Sequence, residues 1–267
     1  MDYEKQFKLL KEEIKNLEEG KIKNSLTRLE NILDCLHNEF VVQSEEKVRV
    51  RVSKYINKRK AEINSGKTVL EIPTEVPKLV VHFIPFEAFE SEGLNYRMGL
   101  DFKKHKNLSL LYVPIGSGYS HKLDKDGVFA YKNQYGYSKL YSTGTFEAVE
   151  LGMLSYNYID ANLIETNILN SLEEYQKTLQ QVNPRGKFMI SVQFLNVKGL
   201  SLFFQNEYGT NVESSTQYEE EDLILSPVIL SNINNNASLA LQPIFEELWR
   251  TFGFSEPKNH KNRERTF

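Results

Sequence analysis

Residues 127–154 read GVFAYKNQYGYSKLYSTGTFEAVELGML. Three short alternating runs, 127–133, 137–143 and 145–154, are separated by glycine and polar turn residues. Alternation with period two puts successive side chains on opposite faces of a strand, and tight turns return the chain antiparallel. The stretch therefore reads as a meander of antiparallel strands. Upstream, KLVVHFIPF (78–86) is an almost unbroken apolar run and reads as a buried strand, with LSLLYVPI (108–115) as a second. Downstream, Leu163, Ile164, Ile168, Leu172, Tyr175 and Leu179 recur at helical spacing, predicting a helix over about 160–182 that Pro184 and Gly186 end.

The remaining C-terminal runs extend the pattern. Residues 187–199 and 200–206 read as a hairpin, 207–221 as a polar loop ending in EEED, and 222–232 as a strand with a proline at an edge or bulge. A closing helix covers 237–254, where Pro243 implies a start near Leu241 or a kink. Strands come in runs between separated helices, so the fold class is α+β rather than doubly wound: an N-terminal helical segment followed by a mixed, largely antiparallel sheet with packed helices.

The N-terminal segment has its own signature. Phe7, Leu10, Ile14 and Leu17 step by 3, 4, 3, and Ile22, Leu26, Leu29, Leu33 and Leu36 step by 4, 3, 4, 3. These are the spacings of a helix that packs along another helix. The step of five between the two sets, with Gly20 inside it, marks either a break or a stutter. The stripe is an interaction surface that packs on the rest of the chain or on another copy. Residues 1–43 are the amphipathic segment, 44–255 the α+β domain, and 256–267 a flexible basic tail. Ser44 reads as the cap of a separate helix over 44–65 that Gly66 ends, although VRVRV (48–52) also fits a short strand.

Composition bounds the function. The chain has 267 residues and a net charge of -3, so no global field draws it to nucleic acid or an anionic membrane. No run of 18 apolar residues occurs and the N-terminus is charged, which reads as a cytoplasmic protein with no membrane partner. Cys35 is the single cysteine and, among Ile32, Leu33 and Leu36, reads as a buried thiol. The five histidines, His37, His82, His105, His121 and His260, show no zinc spacing, so no metal and no cofactor is expected. His82, in mid-strand, reads as a hydrogen-bonded core residue.

Two local features could carry chemistry. Lys47, Arg49, Arg51, Lys54, Lys58, Arg59 and Lys60 fall in one segment with no acid, either a solvated helix face or a surface following a phosphate backbone, with Tyr55 among them. Residues 114–129, PIGSGYSHKLDKDGVF, gather Ser117, Tyr119, Ser120, His121, Asp124 and Asp126. A phosphate loop requires Gly-Lys-Ser/Thr before a helix, which this stretch lacks; Asp124 and Asp126 are only a fragment of a calcium loop. A turn remains, or a functional loop that could serve a small hydrolase or nuclease.

Four phrases in order resemble the C-terminal half of bacterial Schlafen/AlbA-type ATP- and DNA-binding proteins. They are KLVVHFIPFEAF (78–89), YVPIGSGYSHKLDKDGVFAY (112–131), YSKLYSTGTFEAVE (137–150) and WRTFGFSEPKN (249–259). The resemblance covers about 45–260, and the AlbA-type domain that precedes it in that family has no counterpart in residues 1–36. No catalytic residue carries over. The resemblance implies a companion module: a non-catalytic accessory or assembly subunit of a bacterial cytoplasmic complex, with phage defence as a setting. The alternatives are a nucleic-acid-binding subunit using 47–60 and an enzyme using 114–129.

Overall fold

The computed structural model describes residues 9, 10, 12, 22–90, 97–102, 108–154, 157–182, 186–206 and 208–258; for 22–27, 30 and 37–44 only the backbone is described. The apolar positions Phe7, Ile14 and Leu17, the step at Gly20, His105, His260 and the tail beyond Lys258 lie outside the described residues. The chain divides into two compact units, Met1–Val50 and Arg51–Phe267. The division falls inside one helix, α1 (Ile22–Asn64).

The predicted fold class holds: the protein is α+β, with a helix ahead of a largely antiparallel sheet. No separate helix begins at Ser44. Residues 22–64 contain neither glycine nor proline, so nothing stops helix propagation, and a serine inside a helix costs only a few tenths of a kcal/mol. Gly66, with φ +73°, ends α1 as expected, and the Lys67 amide reaches back to the Glu62 carbonyl at 2.8 Å. Cys35 is exposed rather than buried: this part of the helix has no buried face among its described side chains, Leu33 itself being exposed.

In the second unit the strands are β1 (Lys78–Pro85), β2 (Ser120–Asp124), β3 (Gly127–Lys132), β4 (Gly136–Tyr141) and β5 (Phe146–Glu150). They continue as β6 (Tyr158–Asp160), β7 (Phe188–Leu195), β8 (Ser201–Gln205), β9 (Asn211–Gln217), β10 (Leu223–Ile224) and β11 (Val228–Leu230). The helices are α2 (Glu87–Glu90), α3 (Ala161–Gln180) and α4 (Ala237–Thr251). The large sheet runs β10-β7-β1-β5-β4-β3-β2, with β11 also on β7, and all its pairs are antiparallel. The meander over 127–154 is β3-β4-β5. A second sheet, β6-β8-β9, includes a parallel pair between β6 and β8.

Four expectations need correction. Residues 108–115 form no strand; the segment is irregular and runs into a turn at 115–116. Residues 187–206 are not a hairpin: β7 pairs with β1 along eight residues, whereas β8 joins the other sheet. Asn196 and Gly199, at φ +56° and +82°, turn the chain from one sheet to the other. The polar segment 207–221 contains a strand, β9, because β8 offers it a ladder that compensates for its low apolar content. Residues 222–232 split into β10 and β11 around Pro227, which has no N–H for the ladder. In addition, α4 begins at Ala237, not Leu241: Asn236 caps it by accepting from the Leu239 amide at 3.0 Å, and Pro243 sits inside the helix.

One face of the large sheet packs on α3 and α4 through Val81, Phe83, Ala148, Phe188, Val192, Ile164, Leu172 and Leu248. The opposite face carries Val80, Tyr137, Val149 and Leu195, packed with Ile63 of α1 and with Ile72. This second face also holds buried polar residues, and the antiparallel register explains how they meet. Lys139, Glu147, His82 and Ser191 stand side by side across β4, β5, β1 and β7.

Candidate functional site

The apolar stripe read as an interaction surface lies on the first unit's part of α1. Leu33 is 57% exposed, and Leu29, Ile32 and Leu36 are half-buried. Ile22 and Leu26 occupy the same stripe by backbone position.

The basic segment is more engaged than its sequence implies. Arg49 pairs with Glu45 one turn back at 2.7 Å, and Arg51 donates to the carbonyls of Phe89 (2.9 Å) and Glu90 (3.2 Å). Lys60 pairs with Asp222 at 2.8 Å, and Lys58 stands 3.8 Å from Glu62. Arg59 turns toward the sheet, to Glu147 of β5. Lys47 and Lys54 are exposed. The seven cations therefore do not form one continuous free surface.

Residues 114–129 begin in a turn, where the Ser117 amide donates to the Pro114 carbonyl at 3.0 Å, and continue as the β2-β3 hairpin. Asp124 organises that hairpin. It accepts from the Asp126 amide at 2.8 Å and from Lys139 Nζ at 2.6 Å. Burial opposes ionisation of Asp124, but the Lys139 bond and the turn amides outweigh it and lower its pKa. Ser120 and Asp124 share one face of β2 while His121 stands on the other. His121 Nε2 donates to the Leu108 carbonyl at 2.6 Å, and its ring lies 5.0 Å from that of Tyr119. Ser120, His121 and Asp124 thus do not converge as a proton relay.

The most developed polar constellation is one the sequence does not assemble: it singles out His82 as a core residue and Arg59 as one of a basic run, but not the two together. Glu147 is completely buried on β5. Arg59 Nε and Nη2 donate to its two oxygens, each at 2.8 Å, in the fork geometry that guanidinium and carboxylate share. Tyr137 Oη donates at 2.7 Å, Tyr141 Oη at 3.2 Å, and His82 Nε2 lies 3.0 Å away. Burial alone would raise the Glu147 carboxyl, but the bonds from His82 and Arg59 reverse that and hold it far below the ordinary carboxylate range. An ionised carboxylate only accepts, so Nε2 of His82 carries the proton. Tyr137 and Tyr141 are pushed up by burial and then by the negative charge of Glu147, and Tyr55, edge-on to His82, is pushed up the same way. Arg59 also bonds Glu62 of its own helix.

The expectation of a hydrogen-bonded core histidine at 82 is met. Chemically, the cluster is a charge-compensated clamp joining α1 residues 55–62 to the sheet. Its Arg59–Glu147 pair is 88 residues apart in sequence. The one signal in the sequence is a charged residue inside a buried strand pattern, Glu147 in TFEAVE, with no indication of its partner.

A cavity of about 210 Å³ opens beside α3, floored by Leu140 and Phe146 and rimmed by Ser171 and Thr178. Its charged lining residues, Glu174 and Lys177, pair with each other at 2.9 Å. Among the described residues, no group of three or more His, Cys, Asp or Glu is arranged to hold a metal ion, and no helix is long and apolar enough to cross a membrane. No family model, curated protein or solved structure matches the chain.

Proposed function

We propose that this chain is a non-catalytic assembly subunit whose N-terminal helical stripe, Ile22 to Leu36, takes a protein partner. The observation that carries this reading is the exposure of Leu33 on an unbroken helix, flanked along one stripe by half-buried Leu29 and Leu36. A leucine that exposed gains apolar burial when a partner surface covers it. The polar groups elsewhere support the reading. Arg59 and Glu147 compensate each other, Asp124 organises a turn, and His121 is bonded to a backbone carbonyl. A bacterial cytoplasmic defence complex, the setting implied by the Schlafen/AlbA resemblance, belongs to the same proposal.

The test is affinity purification of the native protein at moderate salt, followed by mass photometry with and without nuclease. A discrete assembly that resists nuclease and is lost in Leu33→Asp, with the thermal melt of the second unit unchanged, supports the reading. An assembly that dissolves with nuclease transfers the function to nucleic-acid binding through the exposed Lys47 and Lys54. An assembly unaffected by Leu33→Asp overturns the stripe as the contact.

A further inference from the structure

We infer that the cavity beside α3 binds a small, neutral heteroaromatic molecule of nucleobase size, independently of the stripe and its partner. A seam between a helix and a sheet ordinarily closes by interdigitation of side chains. Here α3 lines the cavity with Ser171, Tyr175 and Thr178, spaced by four and three and therefore on one face. Two of the three are small, and the seam stays open to about 210 Å³ over Leu140 and Phe146. The neighbouring Leu172 and Leu179 are buried in the core, so the opening belongs to this face of α3 alone. Its volume falls below the roughly 300 Å³ at which pockets for drug-sized ligands begin. The occupant is accordingly a single ring system.

The walls set the chemistry. The rings of Phe146 and Tyr175 have centroids 6.1 Å apart. Phe83 stacks on Phe146 at 5.1 Å, and Tyr175 Oη donates to the Gly144 carbonyl at 2.7 Å, so both rings are held in place. Fixed aromatic and aliphatic walls suit a flat ring. The half-buried hydroxyls of Ser171 and Thr178, and the carboxamide of Gln181, can each both donate and accept. They match a ring edge that carries donors and acceptors together. Glu174 and Lys177 pair with each other at 2.9 Å, so a charged ligand would have to break that pair to gain a partner. His121 Nε2 donates to the carbonyl of Leu108, a further lining residue, at 2.6 Å. The loop histidine that the sequence singles out thus ties one wall of the cavity to β2.

The test is titration of the full chain, carrying ¹³C-labelled leucine methyls, with adenine and with uracil. Both probes are neutral and bear donors and acceptors on one edge. Each should shift the methyl signals of Leu108 and Leu140 saturably. Toluene, flat but without a polar edge, and benzoate, flat but charged, should bind about ten-fold more weakly, the worth of one or two hydrogen bonds. Thr178→Leu and Ser171→Leu each fill the cavity. Each should abolish the shifts with the thermal melt unchanged or raised, and the two together guard against one failing to fold. Lys177→Ala should leave the affinity within about two-fold, because an exposed pair contributes little.

Absence of any shift with both adenine and uracil would overturn the site. Toluene binding as tightly as the bases would reduce it to an apolar void, and benzoate binding more tightly would overturn the neutral ligand. Shifts that persist in both filled variants would put the bases elsewhere and overturn the cavity as their site.

Discussion

Replacing Arg59 by leucine should cost the second unit about 3–5 kcal/mol. Arg59 is 14% exposed, and Glu147 is fully buried. The substitution removes two charge-assisted bonds of 2.8 Å and leaves the carboxylate with His82, Tyr137 and Tyr141. Bonds to charged groups contribute about 1.5–3 kcal/mol each, so two of them reach the stated range before packing is counted. For a unit of this size, that loss corresponds to a fall in Tm of about 6–20 °C. Urea unfolding followed by the fluorescence of Trp249, the single tryptophan and itself buried, measures it directly.

The pH dependence separates this cause from a packing fault. The Glu147 carboxyl is depressed in the folded protein relative to its ordinary value of 4.5. Its contribution is therefore fully present above that value and is lost as pH falls below it. The difference between wild type and Arg59→Leu should be largest at pH 7 and narrow at pH 3. The double variant Arg59→Leu/Glu147→Leu should recover part of the loss, because it removes the orphaned charge. A cost below about 1 kcal/mol, the level of an exposed pair, would refute the clamp. So would a cost identical at pH 3 and pH 7.

Two further substitutions test other parts of the structure. Glu150 is buried at the end of β5 and its carboxyl is raised to about 7 by burial, against the opposing bonds from the Met153, Gly152 and Leu151 amides. Stability from this group is fully present below pH 4.5 and is lost as pH rises through about 7, to the extent of about 3 kcal/mol. Urea melts at pH 5, 6, 7 and 8 should accordingly be flatter in Glu150→Gln than in wild type; an unchanged slope would refute the assignment. At Gly136, with φ +101°, a Cβ would stand 1.9 Å from the Val149 carbonyl oxygen, so the β4-β5 register allows no side chain. Gly136→Ala should destabilise by more than about 2 kcal/mol, whereas Gly118→Ala, where nothing lies within 4 Å, should stay within about 0.5 kcal/mol. Equal melts for the two variants would contradict that geometry.

Features legible in the sequence are those set by local physics. Period two over 127–154 is enough to identify β3, β4 and β5, and helical spacing over 163–179 is enough to identify α3. The absence of glycine and proline between residues 22 and 64 carries α1 through Ser44, a point on which cap chemistry alone misleads. The 4, 3, 4, 3 stripe is equally legible, because side-chain spacing on a helix is a local property. Sheet order is not local. β7 lies beside β1 more than 100 residues upstream, β9 is a strand because β8 is there to pair with it, and 108–115 finds no ladder despite its apolar composition. The roles of charged residues follow the same division. By sequence, Arg59 is one more cation in a basic run, and Glu147 an isolated acid in a strand. Burial makes each costly alone, and only the packing of α1 on the sheet brings one to the other across 88 residues.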